Sequence, residues 1–232
     1  MPTSRAGHAS AAGRAPGILG GMTLEALIRR ARGLVVPGGR RLLGITGPPG
    51  AGKSTLAEAL VRALAPDAVL VGMDGFHLSG DELHRRGLAR RKGAPETFDA
   101  AAYVDLLRSL RSPSAGDVAA PGFDRAREET VPAAVVVGAA VPLVVTEGNY
   151  LLLDTPPWSS IAELLDECWY VDLRPDLRVD RLVERHAAYG KSRAEAWAWA
   201  GGSDAHNADL VTGTRGRASL IVDASALDLP RE

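Results

Sequence analysis

The stretch Gly47 to Ser54, GPPGAGKS, matches the pattern G-x-x-x-x-G-K-[ST] at every fixed position. In this pattern, backbone N–H groups at the end of the loop cradle a phosphate, the lysine meets the β- and γ-phosphates, and the hydroxyl binds Mg²⁺. Pro48 and Pro49 have no N–H, so we expect them to stiffen the loop ahead of the cradle. The pattern predicts a nucleotide site formed by Gly47, Gly50, Ala51, Gly52, Lys53, Ser54 and Thr55, with Ser54 also at the metal.

Two carboxylates follow predicted strands and fit the chemistry of phosphate transfer. Asp74, in VGMDGFH, is the candidate base or orienting group for an acceptor hydroxyl, and the alternative is an aspartate that caps a turn before Gly75. Glu147, in VVTEG, is the favoured acid on the metal side, where it reaches Mg²⁺ directly or through water. Asp172, in WYVDL, is its rival because it also ends an apolar strand.

Three arginines, Arg178, Arg181 and Arg185, are spaced i, i+3 and i+7 and therefore share one face of a predicted helix. One interpretation is a closing lid that brings guanidinium groups to the phosphates. The other is an ordinary solvated face that also carries Asp180 and Glu184.

Nucleotide binding alone leaves a switch GTPase, an ATPase machine and a small-molecule kinase open. The Asn-Lys-x-Asp tetrad that reads guanine does not occur in the sequence. A kinase needs an acceptor-side carboxylate, a metal-side acid and mobile cations, and the chain has candidates for each. The alternative from a different class is an ATPase or nucleotide-binding regulator without an acceptor.

The composition predicts a single globular domain over residues 22–232. The chain has 232 residues, of which 46% are hydrophobic, and its net charge of −1 argues against a general binder of nucleic acid or of anionic membranes. Its single cysteine, Cys168, cannot form an internal disulfide, and no apolar run reaches the length of a membrane span, so we expect a soluble protein of the cytoplasm. Residues 1–21 are rich in Ala, Gly, Pro and Ser, which favours a disordered leader over a transit peptide.

Five short apolar segments alternate with helical patterns and predict an α/β fold. The segments are RRLLGITG, DAVLVGMD, PLVVTEG, CWYVDL and ASLIVDAS. Alternation of this kind is typical of a doubly wound, mainly parallel sheet with helices on both faces and ligands at the carboxyl ends of the strands. The charged, loop-rich segment from Gly75 to Pro132 is the natural place for a substrate cover.

Several motifs occur in the order found in one family of kinases. In these motifs the chain resembles the P-loop kinases grouped with uridine kinase, phosphoribulokinase and bacterial pantothenate kinase. The motifs are GITGPPGAGKST, VGMDGFH, APETFD, PGFDR, VVTEGNYLLL and RLVERHAAYG. The resemblance covers about Leu24 to Asp223 and is greatest to bacterial nucleoside/nucleotide kinase-like proteins, also called fructose-transport-associated kinases. It implies a P-loop NTPase fold of about five strands with a helical lid, and transfer of phosphate from ATP, with Mg²⁺, to a hydroxyl of a small metabolite.

The resemblance also implies roles for particular residues. Asp74 and Lys53 match catalytic positions, and Glu147 matches the metal-side acid. Arg181 and Arg185 match lid cations. Asp124 and Arg125, in PGFDR, fall where relatives bind the acceptor, although a turn-capping aspartate and a solvated arginine fit the sequence as well.

Other positions receive weaker assignments from the resemblance. His77 is assigned to the acceptor pocket, with a loop cap as the alternative. SDAHNADLV resembles a segment near the nucleotide, but Asp209 replaces the expected arginine, which argues against a phosphate contact at that position. Asn207 is expected to hold local structure, and Arg215 and Arg217 either flank adenine or face solvent, so none of the three is assigned to the site. The expected partner is a small molecule, with no nucleic acid and no membrane, and a homodimer stays open.

Overall fold

A twisted parallel sheet forms the centre of the protein. The computed structural model describes residues 17–18, 22–36, 38–112 and 116–227. The sheet has six strands in the order β1-β8-β7-β2-β6-β3, and each pairing between neighbours is parallel. The strands are β1 (Gly17–Ile18), β2 (Arg41–Thr46), β3 (Ala68–Gly72), β6 (Leu143–Glu147), β7 (Glu167–Asp172) and β8 (Leu220–Asp223).

The helices alternate with these strands. They are α1 (Leu24–Arg32), α2 (Lys53–Leu64), α3 (Gly80–Arg85), α4 (Ala100–Arg111), α5 (Ile161–Leu164), α6 (Pro175–Ala188), α7 (Arg193–Gly201) and α8 (Ser203–Thr212). All five strands predicted from the sequence are confirmed, as is the α/β, mainly parallel architecture. The sixth strand, β1, lies inside the predicted leader and pairs with Leu220 and Ile221. Residues 1–16 and 19–21 of that leader lie outside the described residues.

Successive residues of the buried strands point into two different cores, as the period of a strand requires. Leu42, Val144 and Tyr170 face the core that packs on α4 and α5. Leu43, Val145 and Trp169 face the opposite core, which packs on α1 and α2. Helices therefore cover both faces of the sheet and leave its carboxyl edge as the open surface.

An antiparallel hairpin begins in the segment that the sequence predicted as a loop-rich cover and extends past its predicted end at Pro132. Its strands are β4 (Val118–Asp124) and β5 (Glu129–Val137), with a bulge between Ala120 and Gly122. The hairpin packs closely on the turn that carries Asp74, because a Cβ atom on Gly75 would lie 2.5 Å from the carbonyl oxygen of Pro121. The hairpin thus becomes a wall beside the end of β3.

Helices α6, α7 and α8 form the lid region that the sequence predicted. Leu182, Val183, Ala196 and Ala200 make a small core of their own, separate from the two cores of the sheet. Across the described ranges, no helix combines the length and the apolar character needed to cross a membrane.

Tyr103 joins α4 to the sheet through a buried hydrogen-bond chain. The Thr146 hydroxyl donates to the carbonyl of Val71 at 2.7 Å, and the Tyr103 hydroxyl donates to Thr146 Oγ1 at 2.6 Å. Tyr103→Phe removes one donor and leaves a buried oxygen short of a partner, so we expect unfolding in urea to show a loss of about 1–2 kcal/mol. Tyr189→Phe is the control because Tyr189 is exposed. Equal stability of the two variants would contradict the role of this chain.

Candidate active site

Three glycines in left-handed backbone conformations shape the loop between β2 and α2. The φ angles are +148° at Gly47, +80° at Gly50 and +93° at Gly52. Side chains are disfavoured there, and contact with neighbouring backbone adds to the constraint, since a Cβ on Gly47 would lie 2.5 Å from the carbonyl oxygen of Val171. Gly52 is also the N-cap of α2 and has no side chain to cap it, so the helix N-terminus is presented to a phosphate.

The two prolines of the loop contribute through their carbonyl groups. Pro48 accepts hydrogen bonds from the Ala51 N–H at 3.2 Å and from Lys53 Nζ at 3.1 Å. Pro49 accepts one from Arg178 Nη1 at 3.3 Å. The prolines therefore fix φ at two positions that need no donor, and their oxygens anchor the lysine and the first turn of the lid helix α6.

Lys53, Ser54 and Glu147 meet at the floor of a cleft at the carboxyl edge of the sheet. Lys53 and Glu147 are both buried. Burial lowers the pKa of Lys53, and the negative charges of Glu147 and Asp74 oppose that change. Burial and the nearby Asp74 raise the pKa of Glu147, while Lys53 and a hydrogen bond from the Ser54 hydroxyl stabilise its charged form.

Asp74 lies one strand away, in the short 3₁₀ turn Met73–Phe76 that follows β3. Its Oδ2 is 3.3 Å from Nη2 of Arg125, which extends from the tip of the hairpin. The carboxylate therefore sits between the main sheet and the hairpin, and it faces the cleft that Lys53 and Glu147 also line.

The cleft has a volume of about 290 Å³ and is bounded by the loop, the hairpin and the lid. Of the predicted residues, it brings together Lys53, Ser54, Asp74, His77, Arg125, Glu147 and Arg185. His77 packs on Phe98 and Phe123, with ring centroids 4.0 and 4.8 Å away, and burial lowers the pKa of its ring. Asp124 instead accepts from the N–H groups of Ala126 and Arg127, at 2.9 and 3.1 Å, and does not line the cleft.

The three arginines of α6 lie along the side of the helix that meets the loop. Arg178 is buried against Pro49. Nη1 of Arg181 is 3.4 Å from the position that a Cβ on Gly52 would take, and Arg185 lines the cleft. The solvated-face interpretation is therefore wrong for Arg178, which anchors the helix to the loop.

The rival carboxylate and the C-terminal arginines are engaged elsewhere. Asp172 Oδ2 accepts from Arg215 Nε at 3.0 Å, and neither residue lines the cleft. Arg217 Nη1 is 3.8 Å from Asp154 Oδ2. Glu147 is thus the acid that the fold places beside the phosphate loop.

Several cleft residues were missed by the sequence reasoning. They lie on the lid and on the segment before α4, and they are Lys92, His186, Lys191, Trp199 and Asp204; Asn207 also lines the cleft, although the sequence did not assign it to the site. His186 Nε2 is 2.7 Å from Asp204 Oδ2. One signal was available, because the chain has only three lysines, at positions 53, 92 and 191, and all three line this cleft.

The donor set beside the loop fits Mg²⁺. The Ser54 hydroxyl and the buried Glu147 carboxylate are the hard oxygen ligands that this ion prefers. Among the described residues, no group of three or more His, Cys, Asp or Glu side chains is arranged to hold a metal. Such an arrangement agrees with an ion that keeps several waters and binds through one or two protein oxygens and the substrate phosphates.

The glycine loop, the helix N-terminus, the buried lysine and the lid together define a P-loop kinase. The model of the Phosphoribulokinase / Uridine kinase family matches residues 42–196, and the chain belongs to this family. The family resemblance read from the sequence motifs is therefore confirmed.

Individual relatives cover most of the chain. "Uncharacterized protein YggC" of Escherichia coli (strain K12) is 36% identical over 194 residues, which are 82% of this chain and 80% of that protein. "Putative uridine kinase C227.14" of Schizosaccharomyces pombe is 34% identical over 180 residues, 74% of this chain and 77% of that protein. The crystal structure of a "putative fructose transport system kinase" from Silicibacter sp. TM1040 has a TM-score of 0.80 at 38% identity and covers 87% of this chain and 100% of its own.

Gly50 tests how tightly the loop depends on the lid helix. A Cβ at this position would lie 2.8 Å from the carbonyl oxygen of Arg178 and 2.9 Å from Cγ of Leu182. Gly50→Ala therefore forces α6 away from the loop, and we expect nucleotide affinity, measured by calorimetry, to fall by about tenfold or more.

Gly87→Ala is the matched control, because Gly87 has a φ of +69° but open space around its Cβ position. We expect Gly87→Ala to lower the free energy of unfolding by about 1–2 kcal/mol, through backbone strain alone. Unchanged nucleotide affinity in Gly50→Ala would show that the contact between loop and lid is dispensable.

Proposed function

We propose that this protein is an ATP- and Mg²⁺-dependent kinase that transfers the γ-phosphate to a hydroxyl group of a small metabolite. The observation that carries the proposal is the position of Asp74. Its carboxylate faces the same cleft as Lys53 and Glu147, and it pairs with Arg125 at 3.3 Å. A nucleotide-binding regulator needs the loop but has no need of a second carboxylate at this place.

The residues of the cleft divide the transfer reaction between them. Asp74 accepts the proton of the acceptor hydroxyl, the hydroxyl oxygen forms a bond to the γ-phosphorus, and the bond from that phosphorus to the bridging oxygen breaks so that ADP leaves. Lys53 and the N-terminus of α2 stabilise charge on the phosphates. Arg185, on the lid, also lines the cleft and would add its positive charge at the phosphates when the lid closes.

Ser54 and Glu147 would hold the metal ion. When bound, Mg²⁺ would neutralise part of the negative charge that the β- and γ-phosphates carry during transfer. The Ser54 hydroxyl donates a hydrogen bond to the Glu147 carboxylate, which holds the two oxygens next to each other.

The test is a screen for ADP release over hydroxyl compounds, followed by mass detection of the phosphorylated product. Nucleosides, pantothenate, nicotinamide riboside, glycerate and simple sugars form the panel. Release that depends on one of these compounds supports the kinase. ADP release that is the same with and without every member of the panel supports the alternative, an ATPase without an acceptor.

Asp74→Asn separates the kinase from a nucleotide binder. The amide keeps the shape of the side chain but cannot take the proton, so acceptor-dependent transfer should fall by about 10²–10⁴-fold while ATP affinity changes little. The measurements are ATP binding, thermal unfolding and ADP release on the same preparation.

Asp154→Asn is the control because Asp154 carries the same charge and is largely exposed outside the cleft. Its transfer rate should equal that of the unmodified protein. Retained transfer in Asp74→Asn, or loss of fold and binding together with transfer, would make Asp74 structural.

A further inference from the structure

The distribution of lysine in this chain is uneven. Of 27 basic residues only Lys53, Lys92 and Lys191 are lysines, and all three line the cleft. Among the arginines that the structure describes, only Arg125 and Arg185 line the cleft. Lys53 belongs to the phosphate loop, which leaves two lysines at the far end of the cleft whose presence the transfer machinery does not explain.

Lys92 is held over an aromatic ring and beside a carboxylate. Its Nζ lies 5.7 Å from the centre of the Phe123 ring on the hairpin. It donates to the carbonyl of Glu128 at 3.0 Å and to Oε2 of Glu128 at 2.9 Å. The ammonium group therefore reaches from the segment before α4 to the turn of the hairpin.

Lys191 approaches from the lid. It follows Gly190 in the turn between α6 and α7, and its Nζ lies 5.1 Å from the centre of the Trp199 ring. Within the described part of the chain, Lys191 forms no ion pair with a carboxylate. A ring holds an ammonium group in place without neutralising it, so the charge of Lys191 stays available to an anion.

Glu128 shows that a negative charge is stabilised beside Lys92, within the electrostatic influence of Lys191. The hydrogen bond from Lys92 lowers the pKa of Glu128, and the charges of Lys92 and Lys191 act in the same direction. The Glu128 side chain is 53% exposed, and an ion pair with that much contact with water is weak. The carboxylate is therefore easily displaced by a ligand that brings its own negative charge.

The other carboxylates of the cleft are already engaged. Asp74 pairs with Arg125, and Asp204 lies 2.7 Å from His186. Neither neutralises Lys191 by an ion pair. Glu195 is influenced by the charge of Lys191, but no ion pair joins them in the described part of the chain. A negatively charged group of a ligand can therefore contact Lys191 without displacing a carboxylate from it.

Asn207 is an independent sign that a ligand binds at this end. It lies on α8, is only 2% exposed and lines the cleft. Among the described residues, no group donates a hydrogen bond to its Oδ1. A buried acceptor atom without a donor destabilises the folded protein, and a ligand that carries an N–H or O–H group supplies the missing donor.

We propose that the phosphate acceptor carries an anionic group, a carboxylate or a phosphate, that binds between Lys92 and Lys191 while an N–H or O–H group of the acceptor donates to Asn207. The proposal rests on the proposed kinase function and narrows its substrate class. In this arrangement the anionic end lies between hairpin and lid, and the reacting hydroxyl extends towards Asp74.

Matched probes test the charge preference. Pantothenate is compared with pantothenol and glycerate with glycerol for a carboxylate, and ribose 5-phosphate with ribose for a phosphate. Binding is measured by calorimetry with a non-hydrolysable ATP analogue, and transfer by ADP release. We expect at least one anionic member to bind about tenfold or more tightly than its neutral partner, and the pair that shows this identifies which anion is preferred.

Four variants at two positions test the lysines. Lys92→Gln and Lys191→Gln should each lower the affinity for the preferred anionic probe about tenfold. The affinities for its neutral partner and for ATP should not change. Lys92→Arg and Lys191→Arg keep the charge and should stay within about threefold of the unmodified protein. Arg90→Gln and Arg193→Gln make the same change of charge at exposed positions outside the cleft and should have no effect.

Glu128→Gln should act in the opposite direction. It removes the carboxylate that competes for Lys92, so the anionic probe should bind a few times more tightly and the neutral probe should not change. A gain of affinity at Glu128 beside a loss at Lys92 excludes general damage to the fold as the cause.

Three results would overturn the proposal. They are equal binding of anionic and neutral partners, failure of every anionic probe to bind, and a charge preference that survives both glutamine variants. A different result would reject the proposed kinase function alone. In that case an anionic probe would bind in a way that needs Lys92 and Lys191, but no probe would give acceptor-dependent ADP release, so the anion site would stand without the kinase. Transfer to neutral acceptors alone would leave the kinase and reject the anionic acceptor.

Discussion

Close contact between the backbone of the phosphate loop and its neighbours is the constraint on which the rest of this structure depends. Gly47 lies against β7 and Gly50 lies against α6, at distances that leave no room for a side chain. The carbonyl of Pro49 then accepts from the buried Arg178, so the first turn of α6 is tied to the loop. One segment thereby sets the phosphate cradle, the position of the sheet edge and the origin of the lid.

The central fold was predictable because its signals are local. Short apolar runs stand between glycines and helical patterns, and each of them forms a buried parallel strand. They include Leu42 to Ile45, Val144 and Val145, and Trp169 to Val171. The hairpin of β4 and β5 was not predicted, since its strands are paired with each other and half exposed. Pro121 and Gly122, residue types typical of loops, lie at the bulge of β4, and the residue types of Glu128 and Ala133 give no sign of their positive φ values.

The residues of the candidate site also fall into two groups, those that local sequence signals predicted and those that they did not. Lys53, Ser54, Asp74 and Glu147 follow strands of one parallel sheet, and their meeting at its carboxyl edge follows from topology alone. The sequence favoured Glu147 over Asp172 but left both open, because the ion pair between Asp172 and Arg215 joins residues 43 positions apart and leaves no local signal. Lys92, Lys191 and Asn207 come from three separate segments that converge only when the lid packs beside the hairpin, and no spacing in the sequence records that convergence.

The scarcity of lysine gives this protein an unusual chemical surface. Guanidinium groups do not react with acylating reagents under mild conditions, so apart from the α-amino group the primary amines of the chain are those of Lys53, Lys92 and Lys191. Acylation, reductive methylation or coupling to an amine-reactive resin would therefore modify the cleft rather than the outer surface. Attachment through an engineered surface cysteine avoids this, since the native Cys168 is buried.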